Sequence, residues 1–282
     1  MALEHELTPA QDAALTEQLA GYTVCDAHTH IFPEKIALKA AESIGGFYGL
    51  PMSFTQGTSA ELLRVGATAD VKHYLVCSTA TQAHQVESIN RFIATECRAH
   101  PEFVGFGTLH PDYPDTEAEI ERCIADGLRG IKIHPDFQEF YIDEERAYKI
   151  FKLCAGRLPV LVHMGDSRFD YSRPNRLENV MKALPDLTVF AAHLGGYERW
   201  EEASGCLYFD NIRFDTCSSL EFISKEYAHD IIKAFGTDKV FFGTDFPMWN
   251  IRKELHNFFA LGFSQAENRR ILAENFMDFF QL

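Results

Sequence analysis

Three polar side chains alternate along Val24-Cys25-Asp26-Ala27-His28-Thr29-His30. In a β-strand alternate residues share a face, so Asp26, His28 and His30 point the same way. Two imidazoles on one face at a strand end can bind one metal ion. With 12 His in 282 residues, about half an His-x-His pair is expected by chance, so the pair decides nothing until other groups join it.

Three further residues join it. His163 closes the apolar run Pro159-Val-Leu-Val, His193 closes Leu187-Thr-Val-Phe-Ala-Ala, and Asp245 follows Lys239-Val-Phe-Phe-Gly-Thr. A single histidine at the end of an apolar strand is most often a satisfied core residue. Four histidines and an aspartate at matching strand ends are hard to explain that way. Imidazole and carboxylate together suit one divalent ion, Zn²⁺ first, with Mn²⁺ or Fe²⁺ as alternatives. Such an ion lowers the pKa of a bound water from ~15.7 to about 7. An aspartate beside that water can bind the metal and take the proton, and a histidine just outside can orient the water or polarise a substrate.

The elements that must position these residues alternate along the chain. Short apolar runs predict strands near 22–28, 72–78, 103–109, 128–134, 159–164, 187–193, 210–216 and 239–244. Helical patterns follow near 58–69, 86–99, 116–126, 144–155, 175–184, 197–204, 219–235 and 250–260. Eight strands each followed by a helix predict an α/β protein with a parallel sheet. Eight units in this length fit a closed (β/α)8 TIM barrel, whose strand ends converge on one face. Thr8-Pro9 opens an extra N-terminal helix to about Ala20, with Thr as cap and Pro at the first position. A closing helix near 264–274 leads to an apolar tail. No linker or low-complexity run divides the chain, so one domain is expected over 1–282, with its core at about 22–275. Two connections are long, 31–57 (with one short helical piece) and 165–174, and loops of that length on the active face often act as lids.

Composition narrows the function classes. A formal net charge of −15 argues against a nucleic-acid partner, because phosphate binding wants a basic face. No apolar run approaches a membrane span. The acidic N-terminus lacks a basic start and an apolar core, so no secretory signal is expected. Seven cysteines, odd in number and without a C-x-x-C pair, predict a reduced, disulfide-free, cytoplasmic protein. A homodimer is the default assembly for such a chain.

The ordered set Asp26-x-His28-x-His30, a lone His after strand five, Ala-His-Leu-Gly-Gly after strand six and Gly-Thr-Asp-Phe-Pro after strand eight resembles the amidohydrolase superfamily. The resemblance runs from about residue 22 to the end. It is closest to the amidohydrolase 2 group of metal-dependent hydrolases, which includes aminocarboxymuconate-semialdehyde decarboxylase-like enzymes. It implies a (β/α)8 barrel with one metal, with His28, His30, His163 and Asp245 as ligands and His193 as catalytic acid/base, joined in proton transfer by Asp245. Asp26 lies one pleat deeper and is expected to support the ligands from behind.

Other residues carry less specific signals. Lys132 on strand four could bridge a second metal if carboxylated, as in some amidohydrolases. The plainer readings are a buried lysine paired with an acid such as Asp26, or a contact for an anionic substrate. His134, like His110, precedes Pro-Asp and either lines the pocket or shapes a turn. Asp215 faces the pocket or caps the next helix. Arg168 and Arg173 are candidates for gripping a substrate carboxylate, the plainer reading being solvated loop charge. The aromatics Phe32, Phe47, Tyr48, Phe246 and Trp249 flank the expected mouth without individual roles.

The resemblance implies a metal-dependent hydrolase that uses activated water on an amide, ester or lactone of a small organic molecule, carboxylated in one version. The alternative is a metal-dependent, non-oxidative decarboxylase of an unsaturated or aromatic carboxylic acid, in which His193 supplies the proton. A second alternative is a metal- or ligand-binding barrel without catalysis. The extra base beside an open position counts against that one, since a closed structural site needs four ligands only.

Overall fold

The computed structural model describes residues 6–282; residues 1–5, the start of the expected domain, lie outside the described residues. The elements, numbered in chain order, are α1 (Pro9–Leu19), β1 (Val24–His30), α2 (Glu34–Tyr48), α3 (Ser59–Gly66), β2 (Val71–Cys77), α4 (Val86–Ala99), β3 (Phe103–Thr108), α5 (Thr116–Ala125), β4 (Gly130–Ile133), α6 (Pro135–Gln138), α7 (Glu145–Cys154), β5 (Val160–Val162), α8 (Pro174–Ala183), β6 (Val189–Ala191), α9 (Trp200–Cys206), β7 (Ile212–Asp215), α10 (Lys225–Phe235), β8 (Val240–Phe241), α11 (Ile251–Phe259), α12 (Gln265–Arg269) and α13 (Asn275–Phe280). The sheet has eight strands in the order β1 to β8. With helices between the strands, this is the (β/α)8 class.

The chain divides into two compact units, residues up to Val76 with Thr216–Leu282, and Cys77–Asp215. In the second unit β3 to β7 pair parallel, with Thr108 opposite Lys132, Lys132 opposite Leu161, and Leu161 opposite Phe190. Their side chains are buried almost throughout, as expected for parallel strands covered on both faces. In the first unit β8 lies beside β1: Ala27 N–H donates to the Phe242 carbonyl and Asp245 N–H to the His28 carbonyl. Phenylalanines of the closing segment pack there, with Phe241 against Phe276 and Phe242 against Phe258.

Several boundaries differ from expectation. β1 starts two residues later and runs through His30, so both histidines lie inside the strand. The long connection after β1 holds a helix of 15 residues, α2, where a short piece was expected; its paired glycines, poor helix formers, mask it. Cys217 to Ile223 form turns, and α10 begins only after Ser224, whose side chain accepts the Tyr227 N–H. The closing helix does not end in a tail. It passes through a π-helical turn at Arg270–Glu274 into α13. All seven cysteines are free thiols. Among the described residues no helix is long and apolar enough to cross a membrane.

The loop after β5 is held tightly at its start. Gly165 adopts φ +101°, donates its N–H to the Ser172 carbonyl, and would place a Cβ 2.2 Å from the Tyr197 carbonyl oxygen. Both the left-handed conformation and the space therefore require glycine. Gly165→Ala is expected to lower stability by more than about 2 kcal/mol, read by urea unfolding; an unchanged midpoint would contradict this packing.

Candidate active site

The first unit brings three of the expected residues together. His30 Nε2 lies 3.3 Å and His28 Nε2 3.7 Å from Asp245 Oδ1. β1 supplies the two imidazoles on one face. The backbone hydrogen bond from Asp245 to His28, 2.8 Å, and that from His30 N–H to the Phe246 carbonyl, 2.7 Å, carry the aspartate to them. Asp245 has φ 56°, a left-handed conformation that costs energy for a residue other than glycine and clusters at functional sites. The remaining polar atoms of His28 and Asp245 have partners of their own. Cys217 Sγ lies 3.3 Å from His28 Nδ1, and the Ser218 hydroxyl donates to Asp245 Oδ2 at 2.7 Å. Both imidazole nitrogens lie within 4 Å of the same carboxylate oxygen, and imidazole and carboxylate donors at that separation are of the type that fits one divalent ion.

Asp26 stands behind this trio, as its deeper pleat predicts. Its carboxylate accepts from the Thr244 hydroxyl (2.6 Å), the Thr244 N–H (3.0 Å) and the His28 N–H (3.3 Å). It thereby ties β1 to the turn that leads into Asp245.

The second unit gathers the other histidines. His193 Nε2 faces His163 Nδ1 at 2.9 Å, and both rings are buried. His193 is fixed by its backbone: its N–H donates to Asp215 Oδ1 at 2.9 Å, and its carbonyl accepts from Trp200 Nε1 at 3.0 Å. It has φ 61° and is followed by Leu194 at 50° and Gly195 at 81°. These left-handed residues turn the chain sharply away after β6. Asp215 thus holds the His193 backbone, while the cap of α10 falls to Ser224.

His134 stacks on His163 with centroids 3.8 Å apart and planes 8° apart, and on Phe137 from the other side. Its Nδ1 accepts the Phe137 N–H as the cap of the short α6, and His110 Nδ1 accepts from Asp112 N–H in the same way. Both His-Pro-Asp motifs therefore shape turns. Donor atoms of His134, Asp136 and His163 lie within 4.8 Å of one another. Two stacked, parallel imidazoles direct their lone pairs along parallel lines, which is poor geometry for sharing one ion. Asp136, which the sequence marks only as part of the His-Pro-Asp turn motif, has Oδ2 at 3.5 Å from His163 Nε2, accepts the Ser172 hydroxyl at 2.8 Å, and leaves Oδ1 buried without a partner.

The expected substrate contacts are placed as follows. Lys132 on β4 is completely buried. Arg168 reaches back to Asp166 through Nε (2.9 Å) and Nη2 (2.6 Å). Arg173 binds Glu202 at 3.0 Å and Asp170 at 3.4 Å. Both guanidinium charges are thus already matched by carboxylates. Phe246 and Trp249 belong to the core, with the Trp249 indole N–H donating to Ser218 Oγ at 2.8 Å.

The amidohydrolase family profile Amidohydro_2 matches residues 25–282. The chain belongs to the amidohydrolase family. No curated protein sequence matches it. Solved structures share its fold at low identity. A 5-carboxyvanillate decarboxylase of Novosphingobium aromaticivorans, with bound manganese and 3-methoxy-4-hydroxy-5-nitrobenzoic acid, is 17% identical with a TM-score of 0.73, over 93% of this chain and 98% of that one. A dihydroxybenzoic acid decarboxylase of a Polaromonas species, with bound manganese and the inhibitor 2-nitroresorcinol, is 16% identical with a TM-score of 0.71, over 93% and 97%. A probable 2-pyrone-4,6-dicarboxylic acid hydrolase of Acinetobacter baumannii, with citric acid bound, is 14% identical with a TM-score of 0.68, over 92% and 100%.

Burial pushes the Asp136 carboxyl from its ordinary 3.8 up to about 7; the Ser172 hydroxyl pulls it down and Asp166 adds a further push. The native state therefore holds this proton more tightly than the unfolded chain does. The resulting stabilisation is full below pH ~4 and is lost as pH rises through about 7. In chelator-treated protein, Asp136→Asn is expected to flatten the loss of stability over that window. Urea unfolding across pH checks it, and identical slopes in both proteins would contradict it.

Proposed function

We propose that this protein is a metal-dependent, non-oxidative decarboxylase of small aromatic or unsaturated carboxylic acids. The observation that carries the reading is the buried 2.9 Å contact between His163 and His193. It keeps an imidazole able to carry a proton beside a histidine that we assign to the metal. The two decarboxylase relatives named above, which act on aromatic acids by their names, support the same chemistry. The family match over residues 25–282 supports one catalytic domain.

We assign His28, His30, His163 and Asp245 as ligands of one divalent ion. Mn²⁺ takes the place of Zn²⁺ as first choice, because both decarboxylase relatives hold manganese. When bound, the ion neutralises and polarises the oxygens of an anionic substrate. The chain's own residues do the rest. Asp245 presents Oδ1 to the site while Ser218 occupies Oδ2, so proton transfer falls to His193. As the bond to the carboxylate carbon breaks, its electron pair stays on the substrate carbon. A proton carried by the His193 imidazole forms the new C–H bond, and carbon dioxide leaves. The backbone bonds from Asp215 and Trp200 keep that ring in place, which is where a general acid gains its effect. Burial of both rings limits water. Since Arg168 and Arg173 already have carboxylate partners, Lys132 and His134 are the preferred substrate contacts.

Lactone hydrolysis is the second reading, favoured by the pyrone dicarboxylate hydrolase relative. Product analysis separates the two. Mn²⁺-loaded protein is expected to release carbon dioxide from a panel of phenolic and unsaturated acids, to stop on chelation and to recover with Mn²⁺. His193→Asn is expected to keep its Mn²⁺ and lose activity by at least about 100-fold. A new acid group from lactones without carbon dioxide would move the protein to the hydrolase reading, and full activity without metal would contradict both.

A further inference from the structure

Two consecutive residues after β7 reach two of the assigned ligands from behind: Cys217 meets His28 Nδ1 and Ser218 meets Asp245 Oδ2. The second contact extends one residue further. Trp249, after β8, donates its indole N–H to Ser218 Oγ at 2.8 Å, and Ser218 donates its hydroxyl to Asp245 Oδ2 at 2.7 Å. The direction of this chain is fixed by chemistry. Indole nitrogen is a donor only, and a hydroxyl has a single hydrogen. With a lone pair of Oγ taken by Trp249, the hydroxyl hydrogen is left to point at Asp245. All three side chains are shielded. Trp249 is 2% exposed and packs edge-on against Phe222, Ser218 is 8% exposed, and the Asp245 side chain is 16% exposed. Ser218 has φ 49°, a conformation that persists in non-glycine residues only where surrounding contacts impose it.

We propose that Trp249 and Ser218 are positioning residues that hold Asp245 as a ligand through Oδ1 alone, and so set the metal affinity of the site. The inference rests on the metal-binding reading given above. Free rotation about the carboxylate bond would let Oδ2 swing toward the ion or take Oδ1 away from His28 and His30. The Ser218 bond removes that freedom, and the Trp249 bond removes the freedom of Ser218. Supports of this kind behind a ligand are worth ~10–100-fold in metal affinity.

The test is calorimetric titration of chelator-stripped full-length protein with Mn²⁺ alone, alongside thermal unfolding of the stripped proteins. Ser218→Ala is expected to weaken Mn²⁺ binding by ~10–100-fold, and Trp249→Phe to weaken it in the same direction by a smaller factor. A merely structural role would lower the unfolding temperature and leave the affinity of the folded fraction unchanged. If Ser218→Ala does not fold, Trp249→Phe carries the test, since it keeps an aromatic ring against Phe222. Tight binding by the unaltered protein with the same affinity in the Ser218→Ala and Trp249→Phe variants that fold would overturn the relay alone. No Mn²⁺ binding by the unaltered protein would overturn the metal reading and the relay with it.

Discussion

The hydrogen bond from the Asp245 backbone N–H to the His28 carbonyl is the constraint from which the first half of the site follows. β8 is short, only Val240–Phe241, yet the chain beyond it keeps bonding to β1 as far as Phe246. That extension delivers a carboxylate to two imidazoles already aligned by the alternation of β1. It also forces Asp245 into a left-handed conformation, a cost accepted elsewhere in the fold in return for the placement of one oxygen. Asp26 reinforces the same junction by binding Thr244 and His28 at once.

A second regularity concerns the atoms that do not face the ion. Two of the proposed ligands of the first unit have their far atom engaged, His28 by Cys217 and Asp245 by Ser218. In the second unit His163 has Asp136 near one ring nitrogen and His193 at the other. A side chain held at both ends loses little freedom when an ion arrives, which favours binding. The thiol of Cys217 is an unusual partner for a ligating histidine, a role more often filled by a carboxylate or carbonyl oxygen.

Much of the fold is legible in the sequence, for physical reasons. Apolar runs buried on both faces stand out, so β3 to β8 fall within the expected stretches, while β1 lies two residues later than expected and β2 one residue earlier. Polar residues closing those runs flagged His163, His193 and Asp245 without knowledge of the fold. α2 escaped notice because Gly45 and Gly46 depress its helical signal. Ser218 left no signal at all: it is one serine among many, and its role depends on a partner 27 residues away. Asp215 was seen, but its choice of the His193 N–H over a helix end arises from the turn after β6. Asp136 was read as part of a turn motif, and its approach to His163 comes only from the packing of α6. Arg168 and Arg173 stand out in the sequence as candidates for gripping a substrate carboxylate, but the acids that bind them, Asp166 and Glu202, are fixed only by the packing of the loop after β5.

The proposal that one ion is held by His28 and His30 of β1, His163 just after β5 and Asp245 after β8 is open to direct test. Crystals grown with Mn²⁺ and measured at the manganese absorption edge test it most directly. The account predicts a single anomalous peak ~2.0–2.2 Å from His28 Nε2, His30 Nε2, Asp245 Oδ1 and one nitrogen of His163. A map with no peak there, or with a peak seated on His134 and Asp136 instead, would contradict it.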